Sequence, residues 1–281
     1  MPKSVSYARL LAGFVVPHNV VELIRRYRSH KRFVLANERA DAFKRAVHEL
    51  GRAAVEPYSW NDAHSFLEGL GCDRSQVASG SIAEEYLVRS CDTLQKHIQS
   101  RPILGLQVGN FVGISLCHYT DFARRLDKNS IVISVDPNLT HRGIQKPQEK
   151  VIACLNRYGL QGNSMILTGY SLEKSVSNDG VRISNYDPEA EYTKELSCEN
   201  QLPLLARLMP AQFDFVVIDG NHEMTYLARE LAIVHRLLKT GGMIVLDDVA
   251  GSVEEIYGSL LNRNIFEIID PGVGLVLAKK K

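Results

Sequence analysis

The stretch at residues 213–249 reads FDFVVIDGNHEMTYLARELAIVHRLLKTGGMIVLDDV. It holds two apolar runs, 213–218 and 243–246, and both end in acid. Asp219 follows the first; Asp247 and Asp248 follow the second. Between them, residues 226–238 place apolar side chains at helical spacing, and Gly241 and Gly242 are expected to turn the chain into the second run. A strand, a helix and a strand make a βαβ unit, which puts both strand ends on one edge of a parallel sheet. That edge is where open α/β sheets bind ligands.

The same alternation extends upstream. Residues 103–108 form a short apolar run bounded by Pro102 and Gly109, followed by runs at 131–135 and 165–167, with helical stretches between them. Two more runs, 266–269 and 274–278, close the chain. Only residues 270–273 separate this last pair, too short a link for a parallel crossover of a dozen or more residues. The last two strands are therefore expected to be antiparallel neighbours. The fold class is α/β: a Rossmann-like, doubly wound, mostly parallel seven-stranded sheet with one reversed strand at its C-terminal side.

Residues 1–100 read as helical. Val20, Val21, Leu23, Ile24 and Tyr27 fall at helical spacing, as do Phe43, Ala46, Val47 and Leu50; residues 57–61 look like a loop, and a helix is expected over about 81–99. Residues 173–212 are too long for a plain connection and carry an acidic patch at Glu189, Glu191 and Glu195. That insertion reads equally as a lid, an oligomer contact or a solvated loop.

Composition sets limits. In 281 residues, 33 basic and 32 acidic side chains give a net charge of +1. That balance does not point to nucleic acid or a membrane surface as the main partner. No apolar run approaches the ~20 residues of a membrane span, and the apolar stretch at 10–16 is short for a signal peptide. The five cysteines are scattered without a C-x-x-C pair, as in reduced cytosolic proteins. A cytoplasmic protein is expected, with a homodimer as the commonest assembly.

The turn after the first strand is glycine-rich. Residues 104–115 read LGLQVGNFVGIS, with Gly109, Asn110 and Gly113 in the turn and Ser115 where a helix starts. Glycines there either let a ligand approach the backbone or simply permit tight packing. The next strand ends in Asp136-Pro137. Asp136 reads as an acceptor for vicinal ribose hydroxyls, or as a turn residue. Together the two features favour a ribose-containing cofactor.

The pattern V-G-x-x-x-G-x-S, with S-V-D-P about twenty residues on, resembles class I S-adenosylmethionine-dependent methyltransferases of the catechol O-methyltransferase-like group. The resemblance covers about residue 80 to the end. It implies that Gln107, Gly109, Asn110, Gly113, Ser115, Asp136, Pro137 and Asp219 bind the cofactor, and that Gly169, Tyr170 and Ser171 form the adenine-contacting turn. Gln107 departs from the family, which commonly has an acid there. The implied organisation is a helical extension at 1–80 and a methyltransferase domain at 81–281.

Three carboxylates at one sheet edge repel one another unless neutralised. They call for a hard divalent cation such as Mg²⁺, unless the acids cap neighbouring helices. D-G-x-H followed by L-D-D is similar to bacterial metal-dependent sugar and small-molecule O-methyltransferases. That likeness implies Asp219, Asp247 and Asp248 as metal ligands. It places His222 where catechol-type enzymes have their general base; a ligand role or a helix cap are the alternatives for this histidine. The expected acceptor is a small molecule with adjacent hydroxyls, and the acceptor pocket is expected from the N-terminal helices and the insertion; Tyr7, Tyr27, Tyr58 and Trp60 are candidate lining, although aromatics in helices more often belong to the core. The competing readings are a metal-independent methyltransferase, a non-catalytic cofactor-binding relative (to which Gln107 leans), and a nicotinamide-dependent oxidoreductase. The glycine pattern and the reversed strand disfavour the last.

Overall fold

A computed structural model of the chain describes residues 57–172, 200–272 and 274–281. The helices expected within 1–56, Tyr7, Tyr27, Cys198 and the 173–199 part of the insertion lie outside these residues.

Three helices come first: α1 (Trp60–Gly69), α2 (Arg74–Ser79) and α3 (Glu84–His97). The alternating part then runs β1 (Leu104–Val108), α4 (Ile114–Leu126), β2 (Ile131–Asp136), α5 (Pro147–Arg157) and β3 (Ser164–Thr168). Within the expected insertion lies α6 (Gln201–Leu208), and after it come β4 (Phe213–Ile218), α7 (Met224–Leu237), β5 (Leu238–Asp247) and α8 (Val253–Ser259). β6 (Phe266–Asp270) and β7 (Leu275–Lys280) complete the chain.

These strands make one seven-stranded sheet in the order β3-β2-β1-β4-β5-β7-β6. The pairs β3–β2, β2–β1, β1–β4 and β4–β5 are parallel, and β7 runs antiparallel to both β5 and β6. The short link after β6 enforces this reversal, as the sequence leads one to expect. β4 is buried along its whole length, the signature of a strand covered on both faces.

Two apolar layers cover the sheet. Leu87 and Leu94 of α3, Tyr119 of α4 and Val151 of α5 lie in one, and Leu205 of α6, Leu231 of α7 and Ile256 of α8 in the other. Ala63, Leu67 and Val77 of α1 and α2 join the first layer.

Two local expectations change. The loop expected at 57–61 is shorter, because Ser59 caps α1, its side chain accepting from Asp62 N at 3.5 Å. Gly241 and Gly242 lie inside β5 rather than in a turn before it. The register of β4 against β5 shifts there, and Gly241 has φ 79°. The glycines bend a long strand, as glycine within a strand commonly does. Among the described residues, no helix is long and apolar enough to cross a membrane.

Candidate active site

A cavity of about 670 Å³ opens at the carboxyl ends of the parallel strands, within the size range of small-molecule sites. Gly109, Asp136, Pro137, Tyr170 and Ser171 line one half of it, and Asp219, His222, Asp247 and Asp248 the other. Gln107, Asn110, Gly113, Ser115 and Gly169 do not line it; they build the wall behind.

The glycines of the β1–α4 turn answer first to packing. Gly109 has φ 81°, and a Cβ there would lie 1.9 Å from the carbonyl oxygen of Asp219. Gly113 has φ 95°, with Val151 Cα 3.0 Å from a Cβ. Gly109 thus brings the end of β1 against the end of β4, setting the cofactor half of the cavity beside the acidic half.

Gln107 is fully buried and faces inward. Its Nε2 donates to Gly109 O and to Ser115 Oγ, both at 2.7 Å. Its Oε1 is buried without a hydrogen-bond partner, as is Asn110 Oδ1. Buried acceptors of this kind are uncommon, and two of them stand behind the turn where the methionine end of a cofactor would rest.

Asp136 joins β2 to the same turn. Its Oδ2 accepts from Asn110 N at 2.8 Å and Phe111 N at 3.2 Å, and its Oδ1 from Asn138 N at 2.6 Å. A carboxylate has roughly four acceptor positions, so it keeps capacity for one ribose hydroxyl. Burial raises its pKa, and the three N–H donors oppose the rise. On the far side, Gly169 N donates to Asp136 O at 3.1 Å, while Gln201 N and Leu202 N at the start of α6 hold the carbonyls of Tyr170 and Ser171.

Sequence reasoning missed a buried polar set behind Ser171. Its Oγ donates to Glu230 Oε1 at 2.5 Å and lies 2.8 Å from Tyr226 OH, which accepts from Leu172 N at 3.1 Å. Tyr226 also lines the cavity. The signal was present: Glu230 sits among Leu227, Leu231 and Val234 on the apolar stripe of α7, where a glutamate is out of place. Burial pushes its carboxyl up to about 8.

In the acidic half, Asp219 and Asp247 end the adjacent strands β4 and β5 and are hydrogen-bonded through their side chains. Burial raises both pKa values; Asp247 and Asp248 raise that of Asp219 further, while for Asp247 the Asp248 charge adds to the rise and the hydrogen bond with Asp219 opposes it. One proton shared by two close carboxyls is the expected result. Asp248 does not join them. Asp248 leaves β5 with φ 54°, its side chain 69% exposed. Among the described residues, no group of three or more His, Cys, Asp or Glu side chains is placed to hold a metal ion. The expectation of three converging carboxylates is corrected to a pair, with the third at the rim.

His222 Nε2 lies 3.7 Å from Asp248 Oδ2, and the ring is 41% exposed. The backbone of Asp247 lies close enough to the ring to favour its charged form. Its surroundings lower its pKa, and Asp248 opposes that. The capping readings give way here. Glu223 caps α7, accepting from Thr225 N and Tyr226 N, and Ser252 caps α8 in a capping box with Glu255. His222, Asp219, Asp247 and Asp248 are therefore not needed as caps.

Tyr58 and Trp60 belong to the core, not the pocket. Tyr58 OH donates to Ile114 O at 3.1 Å and Trp60 Nε1 to Ile82 O at 3.4 Å. The wall on that side is instead Ser79, Gly80 and Ser81, between α2 and α3.

The sequence model of a family described as a methyltransferase domain matches residues 106–249. No curated protein matches the chain in sequence. Among solved structures, an O-methyltransferase from Bacillus cereus in complex with S-adenosylhomocysteine superposes with a TM-score of 0.50 and 12% identity, over 84% of this chain and 97% of that one. A candidate caffeoyl-CoA O-methyltransferase from Staphylococcus aureus gives a TM-score of 0.50 and 12% identity, over 85% and 98%. At such identity these likenesses speak for the fold. The matched stretch runs from β1 through Asp247 and holds both halves of the cavity between its ends; the chain belongs to this methyltransferase-domain family and has the fold of the class I S-adenosylmethionine-dependent methyltransferases.

Proposed function

We propose that this enzyme transfers a methyl group from S-adenosylmethionine to a hydroxyl of a small molecule bearing adjacent oxygens, with a divalent cation at the acidic half of the site. One observation carries the reading. The carboxylate of Asp136 and the pair Asp219–Asp247 with His222 face the same cavity from opposite halves.

The cavity fits the cofactor. Asp136 has acceptor capacity to spare, Tyr170 and Ser171 offer a wall for the adenine, and the orphaned Oε1 of Gln107 stands behind the methionine end. S-Adenosylmethionine, when bound, supplies an electrophilic methyl on sulfur. The donor chemistry of Asp219 and Asp247 also fits a hard cation: all oxygen, adjacent and mutually repelling. Such a cation supplies Lewis acidity, lowering the pKa of an acceptor hydroxyl.

The chain's own groups do the rest. His222, at the mouth and neutral near pH 7, takes the hydroxyl proton on a ring nitrogen. Asp248 stabilises the imidazolium formed. The walls hold acceptor and donor in line, and such positioning is worth several kcal/mol, roughly 7–11 in the best cases. The reading is tested by following methyl transfer from labelled S-adenosylmethionine to a panel of vicinal diols, with Mg²⁺ and with chelator. Product that forms only with metal supports it. Transfer that ignores chelator assigns the acids a purely structural role.

A further inference from the structure

Four arginines among the described residues are partly buried: Arg89, Arg124, Arg142 and Arg157. Three are ion-paired, Arg89 with Asp270 at 3.3 Å, Arg124 with Asp121 at 2.7 Å and Arg157 with Asp62 at 2.9 Å. Arg142, the one that lines the cavity, has no carboxylate partner among the described residues. Its contacts are neutral: Nε donates to His141 Nε2 at 3.2 Å and Nη1 to Ser79 Oγ at 3.3 Å. A guanidinium partly withdrawn from water, with donors to spare and no counter-charge, is a receptor for an anion.

Its position is built. The loop between β2 and α5 is pinned by paired backbone hydrogen bonds between His141 and Ile144. Gly80 leaves room for the side chain, since a Cβ there would lie 3.0 Å from Arg142 Cδ and 2.6 Å from Phe111 Cε1. The His141 ring meets Phe111 edge-on, with centroids 5.3 Å apart, and so extends an aromatic shelf beside the guanidinium. Arg142 is the only fixed cation among the described residues lining the cavity, and its field reaches both His141 and His222.

Building on the proposed function, we infer that the methyl acceptor is itself an anion: a hydroxylated carboxylate or phosphate whose charged group is held by Arg142 while its hydroxyl lies toward His222. The carboxylates of the acidic half repel such a molecule unless its charge is met elsewhere, so Arg142 fixes which end enters first. It acts as a specificity residue and takes no part in the proton transfer.

The test measures binding to the full-length protein loaded with S-adenosylhomocysteine in the presence of Mg²⁺. The probes are catechol against 3,4-dihydroxybenzoate and glucose against glucose 6-phosphate, with wild type and Arg142→Gln. The expected result is that at least one anion binds tenfold or more tighter than its neutral counterpart, and that Arg142→Gln removes the excess while leaving S-adenosylhomocysteine affinity within twofold. Which anion shows the preference separates a carboxylate from a phosphate acceptor. The inference is overturned if neither anion outbinds its neutral counterpart, or if Arg142→Gln keeps the preference. It is equally overturned if Arg142→Gln loses S-adenosylhomocysteine, which would give the guanidinium to the cofactor's own carboxylate. Failure of wild type to bind S-adenosylhomocysteine at all would instead strike the proposed function.

Discussion

His222 Nε2 stands 3.7 Å from Asp248 Oδ2 at the mouth of the cavity, while Asp247, one residue earlier, turns its carboxyl away onto Asp219. One acid thus serves the histidine and the other completes a carboxyl pair. This division follows from the left-handed turn at Asp248, φ 54°, just past the end of β5, and it assigns the two neighbours different mutational signatures.

Removing the base tests the first role. His222→Asn is expected to lower kcat by roughly 10²–10⁴, the usual contribution of a general base, with cofactor affinity within twofold of wild type. Initial rates of labelled methyl transfer and a cofactor titration on the same preparation check this. A kcat within threefold of wild type would remove His222 from the chemistry.

The carboxyl pair predicts metal linkage. A cation that binds the folded protein and not the unfolded chain raises the melting temperature. Millimolar Mg²⁺ is expected to raise the wild-type midpoint by a few degrees, and chelator to reverse it. Asp247→Asn is expected to be insensitive to both. Calorimetric melts that show no Mg²⁺ effect on wild type would argue against a cation at Asp219 and Asp247.

Asp136 carries two loads, the β1–α4 turn and the proposed ribose contact. Asp136→Ala strands the N–H groups of Asn110, Phe111 and Asn138, at a cost of about 1–3 kcal/mol for each that stays buried. Asp136→Asn keeps acceptor oxygen at one position and is expected to fold better, yet still bind S-adenosylmethionine at least tenfold more weakly. Denaturant melts and cofactor titrations on both variants separate the two loads. Full affinity in Asp136→Asn would leave the residue a purely structural role.

Glu230 predicts a pH dependence. Burial pushes its carboxyl up to about 8 from an ordinary value of 4.5. The folded protein therefore keeps a proton that the unfolded chain releases, and stability falls as pH rises from about 4.5 through 8. Gln in place of Glu cannot titrate. The melting temperature of Glu230→Gln relative to wild type is expected to rise by several degrees between pH 5 and pH 8.5. Parallel curves for the two proteins would show that Glu230 ionises normally.

What the sequence made legible was whatever depends on local order. The bounds of β4 are those read from the apolar run at 213–218, and the four-residue link at 270–273 was enough to reverse β7. Asp136, Asp219, Asp247 and His222 could be placed at one edge because parallel strands present their ends together. Properties set by distant contacts were not legible. Gly109 is required by the Asp219 carbonyl 110 positions away in sequence (219 less 109), and Gly113 by Val151. Gln107 spends its amide nitrogen on Ser115 and Gly109 and leaves Oε1 without a hydrogen-bond partner. Tyr58 and Trp60 were pocket candidates by residue type alone, and their hydrogen bonds to Ile114 and Ile82 put them in the core. Arg142 had no motif around it; its standing comes from the carboxylate partner it lacks among the described residues.

The most direct test of the account is a calorimetric titration of the full-length protein with S-adenosylmethionine in Mg²⁺, beside Asp136→Asn. Wild type is expected to bind at one site with micromolar affinity, and the variant at least tenfold more weakly. Absence of binding in wild type, or equal binding in both proteins, would contradict a cofactor held between Asp136 and the acidic half of the cavity.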